Sequence, residues 1–431
     1  MAGRVSVDQH RADVAALLAP LVEAARRRAR TEDVDLADAL DRVLAGDLVA
    51  PHAVPRFRNA QMDGYAVRAR DVADGAPGSP ARLPVVAEVP ARAGTAPALA
   101  PGAAARIMTG APVPDGADAV VPVEDTGART FAPVPPGDAR TTAGGADRTV
   151  DVLVPRAPGD FVREAGSDVG AGDVVLVDGT VLAPHHLAAA AACGVARVRV
   201  LVRPRVAVLS TGAELVGPGT EPGPGQVFDA NGPALAAAVR RAGGTVATVA
   251  RCPDDVDAFA RALEAAAQDA DLVLTSGGVS QGAYEVVKDA LGRRTTGDGV
   301  GDGVDFRSVA MQPGGPQGLG TVHGTPVLTF PGNPVSAQVS FVVFLRDLLG
   351  QAAGRPPARA VRRARVVEAG ESPAGRRQLL RGASVPGGGV RLVGGPGSHL
   401  VASMARADVL VDVPADMTGW DAGTELEVWE L

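Results

Sequence analysis

The chain has little of several residue types, and each shortage excludes a class of protein. Its 431 residues include one lysine, Lys288, and two cysteines, Cys193 and Cys252. Two isolated cysteines are too few for a disulfide framework or for a zinc site built on cysteine. The formal net charge of −7 argues against nonspecific nucleic-acid binding, because such binding needs a basic surface.

Long apolar runs are also missing. No run approaches the ~18 apolar residues of a membrane-spanning helix, and the first twenty residues lack the apolar core and cleavage pattern of a secretory signal. We therefore expect a cytosolic protein with neither a nucleic acid nor a membrane as its partner. Aromatic residues make up only 3% of the chain, so valine, leucine and alanine must build its cores.

The chain is long enough for several domains, since single cores stop growing near ~250–300 residues. Residues 1–50 and 160–202 predict a discontinuous helical and mixed N-terminal domain, in which a second helical stretch follows the first over 36–48. Residues 51–159 contain short apolar runs broken by proline and glycine, which is typical of a β-rich module. Residues 355–431 alternate as strands and predict a small C-terminal β-barrel.

Residues 203–354 have the most regular pattern. Strands beginning near residues 206, 245, 271 and 326 alternate with helices, which indicates a doubly wound α/β domain with a parallel sheet covered on both faces. Ligands of such sheets bind at the carboxyl ends of the strands. Polar loops with the sequences STGAEL, TSGGVS and PGNPVSA follow three strands. Hydroxyls, glycines and a helix start suit a phosphorylated or oxyanionic ligand, although ordinary turns use the same residues.

The only lysine lies beside one of these loops. Residues 271–291 read as a strand, a glycine turn and a helix start, an arrangement that binds phosphate through free backbone N–H groups and the helix dipole. Lys288 either contacts the ligand, in a role that the planar guanidinium of arginine would not fill, or has survived on a solvated helix face. We predict the contact with the ligand.

These loops resemble those of the MoeA/gephyrin family, the molybdopterin molybdenumtransferases that complete the molybdenum cofactor. NAQMDGYAVRARD at 59–71 is similar to the family motif S-x-M-D-G-Y-A, and RIMTGAPVPDGADAVVPVED at 106–125 is similar to I-x-T-G-A-x-x-P. GPGSHLVASMARAD at 395–408 resembles the Q-G-S-H segment. The resemblance runs over nearly the whole chain in the expected order.

The resemblance implies a fold of class α/β plus β, elongated and multidomain, with a MogA-like α/β domain. It also implies a homodimer in which the α/β domain of one subunit faces the β-rich module of the other. The implied reaction is Mg²⁺-dependent cleavage of adenylylated molybdopterin with insertion of molybdate into its dithiolene. Molybdopterin adenylyltransferase and molybdoenzymes would then be possible protein partners.

Matching the motifs position by position implies the site residues. The expected catalytic residues are Asp63, Thr109, Asp168, Glu214, Asp254 and Glu285, of which Glu214 and Glu285 would bind the metal. The expected cofactor-binding residues are Thr275, Ser276, Gly277, Gly278, Ser280, Lys288, Pro331, Gly332, Asn333, Ser336, Arg381 and Ser398. Cleavage of a phosphoanhydride needs a hard cation, and carboxylates bind such a cation. Each acid taken alone could also be a solvated surface residue.

Two positions leave an alternative open, and a third departs from the family motif. Asp254 and Asp255 are adjacent, and the pair also reads as the cap of the helix that follows. Asn231 matches a family asparagine but also reads as a helix cap, which is the interpretation we favour. Glu285 stands where the family motif predicts aspartate, so its carboxylate is one methylene further from the backbone.

The chain departs from the family pattern K-P-G-K-P, because QPGGP places Gln312 and Gly315 at the two lysine positions. In the family these lysines lie beside the site proposed for molybdate. Without them, positive charge or donors must come from elsewhere, and Arg381, Ser336 and Ser398 are the candidates. The departure leaves open a divergent, non-catalytic paralogue that binds molybdopterin or acts as a scaffold.

Overall fold

The computed structural model describes residues 4–131, 149–279, 286–292, 303–357 and 361–431. These residues contain three larger sheets, which belong to an α/β unit, a β-rich module and a C-terminal β unit. In the described part of the chain, no helix is both long and apolar enough to cross a membrane.

The α/β unit contains a six-stranded sheet. In spatial order its strands are Thr245–Cys252, Arg205–Thr211, Leu272–Ser276, Thr325–Phe330, Pro316–Val322 and Gly303–Ser308. The first four are parallel, as predicted, while the last two add an antiparallel edge that the sequence pattern did not reveal. The helices of this unit are Asn231–Arg241, Val256–Asp269, Val286–Gly292, Pro334–Ser340 and Arg346–Ala352.

The strand Arg205–Thr211 shows why the sheet is covered on both faces. Val206 and Val208 pack into one apolar cluster, while Ala207 and Leu209 pack into another. Because side chains alternate along a strand, the two clusters lie on opposite faces of the sheet. Burial on both faces accounts for the unbroken apolar run that the sequence has at this strand.

The N-terminal helix Val7–Arg26 begins at Ser6, whose hydroxyl accepts a hydrogen bond from the Gln9 N–H at 3.0 Å. Its buried residues Val7, Val14 and Leu18 join the core of the α/β unit. The helix packs beside Arg346–Ala352, which continues the Pro334–Ser340 helix through a π-helical turn. The first helix therefore shares a core with the α/β unit, although the sequence grouped it with the N-terminal domain.

The second predicted helix, over 36–48, is wrong. The chain instead forms a strand at Thr31–Asp35 and a single 3₁₀ turn at Leu36–Asp38. Val43 and Leu44 make isolated bridges to neighbouring segments, and Leu44 is buried with Val198 and Val200. Pairing with the strand Arg197–Leu201 therefore outweighs the local helical pattern.

The β-rich module is confirmed as a five-stranded sheet. In spatial order its strands are Ala119–Pro122, Gly64–Val67, Ala104–Ile107, Ala81–Val89 and Thr149–Val152. Gly64 cannot be replaced without moving the neighbouring strand, because a Cβ at this position would lie 2.0 Å from the Val121 carbonyl oxygen. Close packing of strands thus explains the glycine that follows Asp63.

The C-terminal unit is also built from strands, as predicted. Its main strands are Val361–Arg365, Arg377–Ser384, Val390–Leu392, Val409–Val413 and Glu425–Glu430. Met311–Gln312, which comes from the α/β region, pairs in parallel with Arg377–Ser384. This pairing joins the two units at the place where the QPGGP segment lies.

Short elements complete the described fold. They are the helices Pro184–Ala192 and Val401–Met404, the 3₁₀ turns Ala69–Val72 and Val123–Asp125, and the paired strands Leu48–Val49 with Val174–Leu176, Asn59–Ala60 with Val162–Arg163, Leu215–Val216 with Val227–Phe228, and Gly370–Glu371 with Gly419–Trp420. The exact domain boundaries stay a prediction.

Candidate active site

The three polar loops of the α/β unit converge on one cleft of about 910 Å³. They follow adjacent parallel strands, so the carboxyl ends of these strands lie side by side. The Gly277 N–H donates to the Phe330 carbonyl at 3.0 Å, and the Thr211 hydroxyl donates to the Ser276 carbonyl at 3.3 Å. The predicted meeting of these loops at one edge of the sheet is therefore confirmed.

Backbone geometry explains the two glycines of the central loop. Gly277 and Gly278 have φ angles of 95° and 63°, in the region that favours glycine. A Cβ on Gly277 would also lie 2.6 Å from the Thr211 carbonyl oxygen, and one on Gly278 would lie 2.6 Å from a Val287 methyl group. The loop can therefore approach its neighbours, and a ligand, only as bare backbone.

Most of the predicted binding residues of the α/β loops line this cleft. The lining includes the predicted residues Glu214, Asp254, Ser276, Gly277, Gly278, Pro331, Gly332, Asn333, Ser336 and Ser398. Ser280 and Glu285 were also predicted, but they lie outside the described residues. Thr275, Lys288, Arg381, Asp63, Thr109 and Asp168 are absent from the described lining.

Asp254 does not cap the helix that follows it, because the neighbouring Asp255 does. The Asp255 carboxylate caps the helix Val256–Asp269 by accepting from the Ala258 N–H at 2.6 Å. Asp254 instead accepts from the Ala213 N–H at 3.0 Å, within the loop that carries Glu214. The two roles that the sequence left open at this pair are thus divided between the two residues.

Asp229 and Asn231 have roles that the sequence missed. The Asp229 carboxylate accepts from the Gly232 N–H at 2.9 Å and from the Ser210 hydroxyl at 3.1 Å, so this residue caps the helix. Asn231 is not the cap, contrary to our interpretation. Its side-chain amide donates to the Gly332 carbonyl at 2.7 Å, which holds two cleft loops together. The available signal was the sequence FDAN, in which Asp229 stands two positions before Asn231.

Two of the predicted ligand contacts, Thr275 and Lys288, have other surroundings in the structure and are not among the described residues that line the cleft. Thr275 is fully buried in the sheet, and its hydroxyl has no hydrogen-bond partner among the residues that the structure describes. The Lys288 ammonium lies 5.9 Å from the centre of the Phe306 ring, which belongs to the antiparallel edge strand Gly303–Ser308. This position does not support the predicted contact between Lys288 and the ligand.

The C-terminal unit closes one side of the cleft through the segment 396–399. The Ser398 carbonyl accepts from the Val335 N–H at 3.2 Å. Arg381 is 1% exposed, and its guanidinium donates to the Gly397 carbonyl at 3.2 Å and to the Gly395 carbonyl. Arg381 therefore supports the wall of the cleft, and burial lowers the pKa of its guanidinium.

The described lining of the cleft contains acidic side chains but no lysine or arginine. Glu214, Asp229 and Asp254 contribute carboxylates, and the described lining residues include no lysine or arginine. Gln312, at a lysine position of the family pattern, lies in the cleft wall together with His399. The described side chains of the cleft therefore offer an oxyanion no lysine or arginine, and His399 is the only described lining residue that protonation could make positive.

Asp63 and Thr109 lie together on the β-rich module, outside the described lining of the cleft. The Asp63 carboxylate accepts from the Thr109 N–H at 2.6 Å and from the Thr109 hydroxyl at 2.8 Å. These hydrogen bonds, with a smaller contribution from the charge of Arg106, lower the pKa of Asp63. Both residues are exposed, as is Asp168, so an ionised carboxylate is presented to the surroundings of the module.

The carboxylates of the cleft suit Mg²⁺ only if water and the substrate supply the remaining oxygen ligands. In the described parts of the chain, no group of three histidine, cysteine or acidic residues is close enough to hold a metal alone. Mg²⁺ in proteins is usually bound by one or two carboxylates, with water and substrate phosphates completing its shell. The exposed Glu214 carboxylate, beside Asp254, fits that requirement.

Three family models match consecutive segments that together span nearly the whole chain. Residues 5–194 match the MoeA N-terminal region (domain I and II), 207–351 match a probable molybdopterin binding domain, and 363–431 match the MoeA C-terminal region (domain IV). The chain is 46% identical to molybdopterin molybdenumtransferase 2 of Mycobacterium tuberculosis over 428 residues, 99% of each chain. The chain belongs to the MoeA family.

Other MoeA-family proteins agree with this assignment. Molybdopterin molybdenumtransferase 1 of Mycobacterium tuberculosis is 37% identical over 421 residues, which cover 91% of this chain and 93% of that protein. The solved structure of a molybdopterin biosynthesis MoeA protein from Pyrococcus horikosii has 32% identity and a TM-score of 0.70, covering 96% of this chain and 98% of its own. The predicted family and fold class are confirmed.

Proposed function

We propose that this MoeA-family protein is a molybdopterin molybdenumtransferase that cleaves adenylylated molybdopterin and inserts molybdate into the dithiolene. The observation that carries the proposal is the convergence of three polar loops on one cleft at the carboxyl ends of parallel strands. The 46% identity with a protein of that name over nearly the whole chain supports the reaction.

In this proposal the central loop binds the phosphate of the molybdopterin. Ser276 and the bare backbone of Gly277 and Gly278 line the cleft, and such backbone can approach an anion closely. Ser336 and Asn333 offer further donors from the third loop. These groups orient the phosphoanhydride so that water cleaves it into AMP and molybdopterin.

Mg²⁺ would be held by Glu214, with Asp254 beside it, and Glu285 remains a proposed second ligand. A bound Mg²⁺ would offset the charge that develops on the phosphate oxygens during cleavage. Without a cation, the three carboxylates of the cleft would repel the phosphates of the substrate. The acidic lining thus makes the binding of substrate and cation interdependent.

The second part of the site comes, in our proposal, from another copy of the chain. Asp63, Thr109 and Asp168 do not line the cleft of their own chain, yet the family motif assigns all three to the reaction. A homodimer in which the β-rich module of one subunit covers the cleft of the other would unite the two sets. Molybdopterin adenylyltransferase would supply the substrate, and molybdoenzymes would receive the product.

The proposal is tested by incubating the purified protein with adenylylated molybdopterin, Mg²⁺ and molybdate. We expect release of AMP together with a cofactor that contains molybdenum and activates an apo-molybdoenzyme. No release of AMP, with tight binding of the pterin, would instead favour the non-catalytic paralogue. We test for the non-catalytic function because the described cleft lining has no lysine or arginine.

A further inference from the structure

We infer that Arg106 of the β-rich module is a substrate-contact residue, whose guanidinium binds the diphosphate group of the substrate in the cleft of the partner subunit. The inference rests on the proposed function, because it takes a diphosphate as the ligand and a homodimer as the assembly. It supplies the arginine that the described lining of the cleft lacks. The site residues predicted from the sequence do not include Arg106.

Arg106 lies in the sheet of the β-rich module, on the same face as Asp63. In the ladder between the strands Gly64–Val67 and Ala104–Ile107, Arg106 is directly opposite Tyr65. Paired residues share a face of a sheet, and so do residues two positions apart along a strand. Asp63 precedes Tyr65 by two positions, so its carboxylate belongs to the face that carries the guanidinium. The charge of Arg106 contributes to the lowered pKa of Asp63, which agrees with this proximity.

The guanidinium of Arg106 is restrained by an aromatic ring, yet it makes no hydrogen bond within the described residues. The side chain is 15% exposed, and its guanidinium carbon lies 4.0 Å from the centre of the Phe131 ring. Stacking of this kind covers one face of the guanidinium and leaves the N–H groups in its plane to donate. The Nε–H is buried and has no partner in the described part of the chain. Arg106 can therefore bind an anion without giving up an existing hydrogen bond.

The ion pair with Glu88 does not account for this arginine. Glu88 is directly opposite Arg106 on the strand Ala81–Val89. Its carboxylate oxygen lies 3.8 Å from the Arg106 Nε, which is too long for a hydrogen bond. An ion pair without a hydrogen bond contributes little to stability. The placement of a positive charge beside Asp63 therefore points to a role in binding.

The cleft and the β-rich module have complementary charges. Glu214, Asp229 and Asp254 line the cleft, and its described lining residues include no lysine or arginine. A guanidinium binds phosphate oxygens through paired N–H groups. In the homodimer that we propose, the module that brings Asp63 to the cleft brings Arg106 as well.

The reaction needs this positive charge at a definite step. A water oxygen forms a bond to one phosphorus, the bond from that phosphorus to the bridging oxygen breaks, and a water proton is released to the solvent. The bridging oxygen keeps the bonding electron pair, so negative charge builds on the leaving phosphate. A guanidinium at hydrogen-bond distance stabilises this charge.

The binding role is tested with inorganic pyrophosphate, a probe that consists of the diphosphate group alone. Isothermal titration calorimetry of the full-length protein at fixed Mg²⁺ measures its dissociation constant. Arg106→Met removes the charge and every donor, so the dissociation constant should rise about tenfold, the effect of losing a hydrogen bond to a charged group. Arg106→Lys keeps the charge but not the paired N–H groups, and it should give an intermediate value.

Two matched variants separate contact with the ligand from support of the sheet. Glu88→Gln removes the ion-pair partner of Arg106 and should bind pyrophosphate at least as tightly as the wild type. Arg82→Met makes the same change at an exposed arginine of the same sheet, which is bonded to Asp151, and should leave binding unchanged. Equal weakening by Glu88→Gln and Arg106→Met would mean that the ion pair only supports the sheet, and it would overturn the inference.

Subunit mixing tests whether Arg106 acts on the cleft of the partner. Arg106→Met should lower the rate of AMP release by at least tenfold. Exchange at equal amounts with Glu214→Gln should restore about one quarter of the wild-type activity, because each heterodimer has one intact site of two. Exchange with Asp63→Asn should restore none, since both changes lie in the same module. The reverse pattern would contradict the inference.

Failure of the proposed function has a different result, because the wild type would then release no AMP. Pyrophosphate binding would still be measured in that case, and its weakening in Arg106→Met would still support the contact. Normal AMP release by the wild type with unchanged pyrophosphate binding in Arg106→Met would overturn the inference alone. No binding of pyrophosphate by the wild type would overturn it as well.

Discussion

The cleft of the α/β unit and the Asp63 surface of the β-rich module differ in how much of a site each can build alone. The cleft is assembled from three loops of one unit and a wall segment of the C-terminal unit, and it encloses about 910 Å³. Asp63 lies on an exposed surface with one strong partner, Thr109. A concave pocket binds a ligand by itself, whereas an exposed carboxylate needs a second surface opposite to it.

The largest expected effect tests the metal-binding role that we propose for Glu214. Glu214→Gln removes the charge but keeps the shape, and we expect the rate of AMP release to fall by about 10²-fold or more, because charge stabilisation by a metal contributes several kcal/mol. The apparent affinity for Mg²⁺, from titration of the rate, should fall as well. Glu221→Gln, on the exposed part of the same loop, is the control and should retain wild-type activity.

A mixing experiment asks whether the two regions meet between subunits. Asp63→Asn and Glu214→Gln homodimers should each be nearly inactive and remain folded. After the subunits are exchanged at equal amounts, heterodimers carry one intact site of two, so activity should recover to about one quarter of the wild type. No recovery despite demonstrated exchange would mean that both residues act within one subunit, and the comparison would fail.

Arg381 should matter for the wall of the cleft rather than for anion charge. Arg381→Met leaves the Gly395 and Gly397 carbonyls without their donor, and we expect the free energy of unfolding to fall by roughly 3 kcal/mol. Urea unfolding measures this change. Arg391→Met removes an exposed arginine of the same sheet and should cost less than about 1 kcal/mol. Equal effects of the two changes would contradict the supporting role.

The pKa of Asp63 can be changed by a substitution at Thr109. Thr109→Val keeps the backbone N–H bond to Asp63 but removes the hydroxyl bond, so the lowered pKa of Asp63 should rise part of the way to its usual range. If ionised Asp63 is required, the acid limb of the pH profile for AMP release shifts to higher pH. Thr109→Ser retains the hydroxyl and should keep the wild-type profile; a shift in this variant would exclude the explanation.

The smallest effect is expected at Lys288. Because its ammonium lies over the Phe306 ring, Lys288→Met should change the KM for the pterin substrate less than twofold. The free energy of unfolding should change by no more than about 1 kcal/mol, the scale of an exposed cation–π contact. A large rise in this KM would restore the contact with the ligand that the sequence suggested.

Much of the fold was predictable because its signals are local. The alternation of strands and helices after residue 203 is confirmed, and so are the β-rich module and the C-terminal strands. The failed helix over 36–48 has a non-local cause, the pairing of this region with Arg197–Leu201 and its neighbours. The antiparallel edge of the main sheet was missed because its strands have few continuous apolar residues.

The site was predictable in its loops but not in its side-chain partners. The motifs identified the Ser276–Gly278 loop and the 331–336 loop, since glycine and hydroxyl residues are required there by the backbone itself. They could not show that Arg381 bonds to carbonyl groups or that Gln312 is held by Gln378. Those contacts join residues that are far apart in the chain, and no spacing rule connects them.

The sequence by itself determined the MoeA family, the fold class and the strand ends at which the cleft forms, because these depend on short motifs and on periodic burial. Tertiary structure alone decided which polar groups of the cleft are free. Asp255 caps a helix and leaves Asp254 to the cleft, while Asn231 bonds to Gly332. A side chain has few hydrogen-bonding positions, and its function depends on which of them the rest of the fold has already used.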